Sequence, residues 1–148
     1  MWGYKVADQN YKSADQLIQL LVRTASKGAN LLLNVGPQPD GNLPAAAVER
    51  LEVMGEWLQV NGESIYGTVA GSLGDGKNVV STRRGAKVYV HILDASIKML
   101  DLPCSEQVKK VYRLGEGTPL SFKYGRKRLS FAAADEQVPD RIYVVELK

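Results

Sequence analysis

Apolar residues recur at helical spacing between residues 13 and 28, where Leu17, Ile18, Leu21, Val22 and Ala25 fall on one side. Ser13 and Gln16 stand ahead of them in an S-x-x-Q pattern. There the hydroxyl caps an early backbone N–H and the amide reaches back, and Gly28 follows Lys27 where a left-handed residue closes a helix. The pattern then changes to Leu31–Val35, an apolar run of strand length without alternation, the signature of a strand covered on both faces. The glycines and prolines of GPQPDGNLP end it, and Pro44 suits the first turn of a second helix, where its missing N–H costs nothing. Val48, Leu51, Met54, Trp57 and Leu58 form that helix's expected buried side, and Asn61 and Gly62 stop it. From Thr68 the period becomes two. Val88, Val90 and Ile92 share one face, Lys87, Tyr89, His91 and Leu93 the other, and Leu120, Phe122 and Tyr124 fall together. With turn signals at GDG, RRG, LGEG and YGRKR, six to eight half-buried antiparallel strands are expected in a small sandwich.

The predicted class is therefore α+β: a helix–strand–helix unit over residues 1–67, joined near Gly67–Gly71 to an antiparallel β-sandwich over 68–148. A strand buried on both faces needs neighbours for its N–H and C=O groups, and nothing nearby supplies them. Two arrangements answer this need. Either the first unit is the end of a (β/α) barrel whose other strands lie elsewhere, or a downstream strand pairs with Leu31–Val35 to give a self-contained domain.

Composition narrows the field. Of 148 residues 45% are apolar and 24% charged, a globular balance. Acidic residues outnumber basic ones before residue 68, and the reverse holds after it, leaving a net charge of +3. The single cysteine, Cys104, excludes an internal disulfide and reads as a small buried hydrophobe. No apolar run approaches a membrane span, and MWGYKVADQN lacks the plan of a signal peptide, so no membrane partner is expected and the residues carry no cellular address.

Candidate chemistry is sparse. Glu49, Glu52 and Glu56 stand opposite the apolar stripe of the second helix, as on a solvated face. Asp40 sits in PDG, a strong turn signal, and Asp8 lies close to the initial WGY. His91, the single histidine, has no nucleophile elbow to serve and reads as structural. GDGKNV lacks the residues of a phosphate loop and reads as a turn. Arg126, Lys127 and Arg128 beside Tyr124 and Phe131 read as a solvated hairpin tip, so no nucleic-acid partner is expected.

Three blocks in order, WGY at Trp2–Tyr4, SKGANLLLNVGPQPDG at Ser26–Gly41 and GEWLQVNGESIYGT at Gly55–Thr68, resemble the C-terminal part of α-L-fucosidases of glycoside hydrolase family twenty-nine. The resemblance continues more loosely over 69–148, where that family has a β-sandwich after its barrel. It implies C-terminal βα elements of a (β/α) barrel followed by an antiparallel sandwich, and removal of terminal α-L-fucose with retention, without metal or organic cofactor. It also implies that Trp2, Tyr4 and Asn34 lie by the sugar. Neither catalytic carboxylate of the family has a match, so no catalytic residue is assigned and the chain alone is expected to be inactive. The expected partners are fucosylated glycans through the parent enzyme, and either a missing N-terminal barrel part or a second copy of the chain. The competing expectation is a sandwich acting alone as a carbohydrate-binding or scaffold module, with Tyr89, Tyr112, Tyr124 and Tyr143 as the aromatics available for stacking on sugar.

Overall fold

The computed structural model describes residues 3–8 and 10–148. Helix α1 spans Ala14–Ser26 and begins as the Ser13/Gln16 pattern requires. The Gln16 N–H donates to the Ser13 hydroxyl at 3.2 Å, and the Ser13 N–H donates to the Gln16 side-chain oxygen at 3.0 Å. Its end is equally specified. Gly28 adopts φ +69°, and the N–H groups of Gly28 and Ala29 return to the carbonyls of Ala25 and Thr24, a Schellman closure. Leu17, Ile18 and Val22 form its buried face.

Helix α2 spans Ala45–Asn61 with Pro44 as its N-cap, and a 3-10 turn, Gly62–Ser64, follows at once. Its expected apolar stripe is only partly covered. Ala47 and Met54 are buried and Trp57 and Leu58 half-buried, but Val48 and Leu51 are exposed, because α1 and the sheet cover only one side of the helix. Between the helices the expected strand is not formed. Residues 31–35 pair with no strand among the described residues, since every strand lies downstream and already has its partners. Leu32 is 91% exposed.

Eight strands follow: β1 Val69–Ala70, β2 Val79–Arg84, β3 Lys87–Ile92, β4 Met99–Pro103, β5 Val108–Arg113, β6 Phe122–Gly125, β7 Arg128–Ala132 and β8 Arg141–Leu147. They form a five-stranded sheet, β1-β2-β3-β8-β5, and a three-stranded sheet, β4-β7-β6, with every pairing antiparallel. The core lies between them. Val88, Val90, Ile92, Val111 and Val145 face Leu100, Leu102, Leu129 and Phe131, and the Phe131 and Tyr143 rings meet across the sheets at 5.3 Å and 55°.

The three-stranded sheet alternates buried and exposed positions, as period two requires. The five-stranded sheet departs from it: β2, β3 and β8 are buried on both faces rather than half-buried, because α1 and α2 lie on its outer side. Val22 of α1 packs with Val80 and Leu93, and Trp57 of α2 reaches Tyr89, Ile142 and Val144. Burying one such aliphatic side chain is worth about 1.5–3 kcal/mol, and Val22 is wholly buried.

Polar groups fasten the same seam. The Gln19 amide donates to the carbonyls of Leu93 and Pro139, both at 2.9 Å. The Tyr89 hydroxyl donates to Glu63 at 2.8 Å, and Lys87 and Arg84 approach the same oxygen at 3.2 and 3.3 Å. His91, wholly buried, holds Asp140 at 2.6 Å through Nδ1, and its Nε2 lies 3.4 Å from the Thr82 hydroxyl. That hydroxyl donates to the Ser64 carbonyl at 2.5 Å. No helix among the described residues is long and apolar enough to cross a membrane.

Candidate functional site

A cavity of about 290 Å3 opens where the N-terminal loop, the segment after α1 and the start of α2 converge. Tyr4, Asp8 and Tyr11 border it on one side, Asn34, Val35 and Gly36 on another, and Ala47 and Arg50 on the third. Backbone contact sets this convergence. A Cβ on Gly36 would lie 2.6 Å from the Tyr4 nitrogen and 2.9 Å from the Gly3 carbonyl carbon, so only glycine admits the N-terminal loop at this distance. The Gln38 amide adds a long 3.4 Å donation to the Tyr4 hydroxyl.

Arg50 holds the floor from α2. Its Nε donates to the Lys12 carbonyl and a terminal nitrogen to the Ala46 carbonyl, both at 2.7 Å, and its guanidinium lies 5.5 Å from the Tyr11 ring centroid. Those bonds commit it to structure. Among the described lining residues Asp8 is the sole carboxylate. Retaining glycoside hydrolysis needs two, about 5–5.5 Å apart.

The sequence profile of the Alpha-L-fucosidase family matches residues 1–63. The chain is 36% identical over 131 residues to an alpha-L-fucosidase of Branchiostoma floridae, covering 82% of this chain and 29% of that protein. The solved alpha-L-fucosidase isoenzyme 1 of Paenibacillus thiaminolyticus superposes with a TM-score of 0.86 at 31% identity, over 99% of this chain and 37% of that one. The chain belongs to the α-L-fucosidase family. A Thermotoga maritima alpha-fucosidase solved in complex with fucose matches at 30% identity and TM-score 0.83, over 97% of this chain and 37% of that one. The fucosidase-family chain thus spans about a third of its relatives' length.

Of the residues singled out in this family member, Tyr4 and Asn34 border one cavity, and Trp2 lies outside the described residues. Tyr4 is half-buried and Asn34 exposed. Asp40 is a turn residue: its carboxylate accepts from the Asn42 backbone and side-chain nitrogens, each at 3.0 Å. Those donations, the side-chain one foremost, hold its carboxyl below the usual range. Asp8 accepts from the Asn10 N–H at 3.2 Å, and Glu49, Glu52 and Glu56 are exposed on α2.

On the sandwich, Tyr89 and Tyr143 are buried. Tyr124 and Tyr112 are half-buried, and Lys110 lies 4.6 Å over the Tyr112 ring. None of the four presents the exposed ring that a stand-alone sugar-binding module requires. The loop from Asn34 to Gly41 was expected at the site as a whole, but the separate parts of Gly36 and Gln38 within it, and Arg50 on α2, escaped sequence reasoning. A glycine directly after an apolar run signals close backbone approach, whereas nothing local marks a glutamine that meets a tyrosine 34 positions earlier.

Proposed function

We propose that the chain is the C-terminal portion of an α-L-fucosidase-like glycoside hydrolase: the last helix–strand–helix of its barrel together with its sandwich. In this reading the chain supplies one wall of the sugar site, with Trp2, Tyr4 and Asn34 beside the fucosyl group. The nucleophile and the general acid/base come from a preceding barrel part. Retention then proceeds by attack of one carboxylate on the anomeric carbon while the other protonates the leaving oxygen. The observation that carries the proposal is the backbone contact at Gly36, which gathers Tyr4 and Asn34 around one cavity holding a single described carboxylate, Asp8. That inventory suits a contributor to a site and does not suffice for hydrolysis, so the chain alone is inactive.

Grafting the chain in place of the matching segment of the Paenibacillus enzyme tests this, with hydrolysis of an aryl α-L-fucoside as the readout. The chimera is expected to be active, the chain alone silent, and Tyr4→Ala or Asn34→Ala in the chimera about tenfold lower in kcat/KM, the loss of roughly one hydrogen bond or contact in the transition state. Hydrolysis by the chain alone, abolished in Asp8→Asn, would sink the proposal.

A further inference from the structure

The β6–β7 hairpin turns through Arg126 and Lys127 alone, since Gly125 and Arg128 are cross-strand partners. Both turn residues have positive φ, 50° and 58°, among the described residues the only non-glycines that do. A two-residue turn with both central positions left-handed is the type I′ geometry, which Asn-Gly fills without strain and two long basic side chains fill with it. The rest of the hairpin is well placed to hold such a turn: the Cys104 N–H donates to the Lys127 carbonyl at 2.9 Å, and Arg128 reaches Asp101 at 2.9 Å.

The charges at the tip are unspent. Neighbouring acids are already neutralised, Asp101 by Arg128 and Glu106 by both terminal nitrogens of Arg83. Lys123, Arg126 and Lys127 are exposed and, among the described residues, have no acidic partner. A lysine at position 123 is explained by the edge strand it protects. Two cations in strained backbone are not explained by folding, which an Asn-Gly turn would serve better.

We infer that this tip is an anion-docking element whose partner is a sulfated polysaccharide. Three cations within five residues match closely spaced oxyanions along a chain. The hairpin offers no stacking platform for nucleobases, because Phe131 is buried and Tyr124 is half-buried with its hydroxyl near the Cys104 carbonyl. Nor does its turn carry an apolar side chain to insert into a bilayer. The choice of a glycan over other polyanions rests on the hydrolase reading above, in which the tip would hold the substrate's carrier polymer away from the reacting sugar.

The test compares the chain with R126N/K127G on immobilised heparin, used as a sulfated-glycan probe, with K109S/K148S as a charge-matched control. The wild type and the control are expected to be retained alike. R126N/K127G should elute at lower salt, with the log-affinity against log-salt slope reduced by about one to two, and should melt no lower than wild type. Equal retention of R126N/K127G, or equal loss in the control, overturns the inference. So does tighter binding of a single-stranded oligonucleotide or of phosphatidylserine vesicles than of heparin. Aryl-fucoside hydrolysis by the chimera, unaffected by these substitutions, separates failure here from failure of the hydrolase reading.

Discussion

Asp75 shows how one side chain can organise a loop that has no regular structure. It stands before β2 and accepts from three successive backbone N–H groups, those of Lys77, Asn78 and Val79, at 2.7, 2.8 and 2.9 Å. Burial pushes its carboxyl up, but the three donations together outweigh that and hold the pKa below 3.8. A depressed pKa means that the folded state prefers the carboxylate. The resulting stabilisation is complete above pH about 4 and is lost as pH falls through the folded value. Asp75→Asn removes the charge and leaves one acceptor oxygen. The loop is solvent-exposed, so screening limits the expected cost to about 1 kcal/mol at pH 7, the size of a lost cap, and the gap to wild type should begin to narrow below pH about 4 and go on narrowing as pH falls through the lower folded value. Urea unfolding at pH 7 and pH 3 checks this, and a gap independent of pH would show that the charge contributes nothing.

Between elements, the helix layer and the five-stranded sheet are joined by a buried polar chain running from Asp140 through His91 and Thr82 to the Ser64 carbonyl. The side chains of His91 and Asp140 are wholly inaccessible, so removing one partner leaves the other without water to replace it. Asp140→Ala is expected to cost about 2–4 kcal/mol, with Asp140→Asn recovering part of that through its remaining oxygen. Thermal unfolding measures both, and a loss below about 0.5 kcal/mol for the alanine variant would reduce the pair to filler. Nothing local in the sequence announced this pairing, because His91 and Asp140 lie 49 residues apart and meet only through the β3–β8 ladder. Local signals were read far better. The Ser13/Gln16 box, the Gly28 closure and the presence of a strand at β3 each follow from neighbouring residues. What alternation could not convey was the second covered face of β2, β3 and β8. Whether the outward side of a strand meets water or a helix is decided by tertiary packing.

At the scale of the molecule, the sequence told that the apolar run at Leu31–Val35 needs cover, and the structure shows that the chain provides it only in part: Leu33 packs against Leu17, Ile18 and Met54, Leu31 and Val35 are half-buried, and Leu32 is left to solvent. The alternative of a downstream strand closing over that run fails, because the sheet orders use every strand elsewhere. The site was half legible for the same reason: Tyr4 and Asn34 border one cavity, but its described lining residues include one carboxylate, Asp8, where retaining hydrolysis needs two. The uncovered surface has a consequence for solution behaviour. Leu32 is 91% exposed, and Leu43, Val48, Leu51, Val53 and Val60 add to the exposed apolar residues on or near α2. Covering one fully exposed leucine gains about 1.5–3 kcal/mol, so several together can outweigh part of the entropic cost of association, about 4–15 kcal/mol. The isolated chain is therefore expected to self-associate as its concentration rises, and L32K/V48E to shift it towards monomer without lowering its melting temperature. If a preceding barrel part covers the same surface, as proposed, the association should vanish in the chimera. Sedimentation velocity over a wide concentration range decides the matter: one monomeric species throughout, in the unmodified chain, would mean that this surface needs no cover at all.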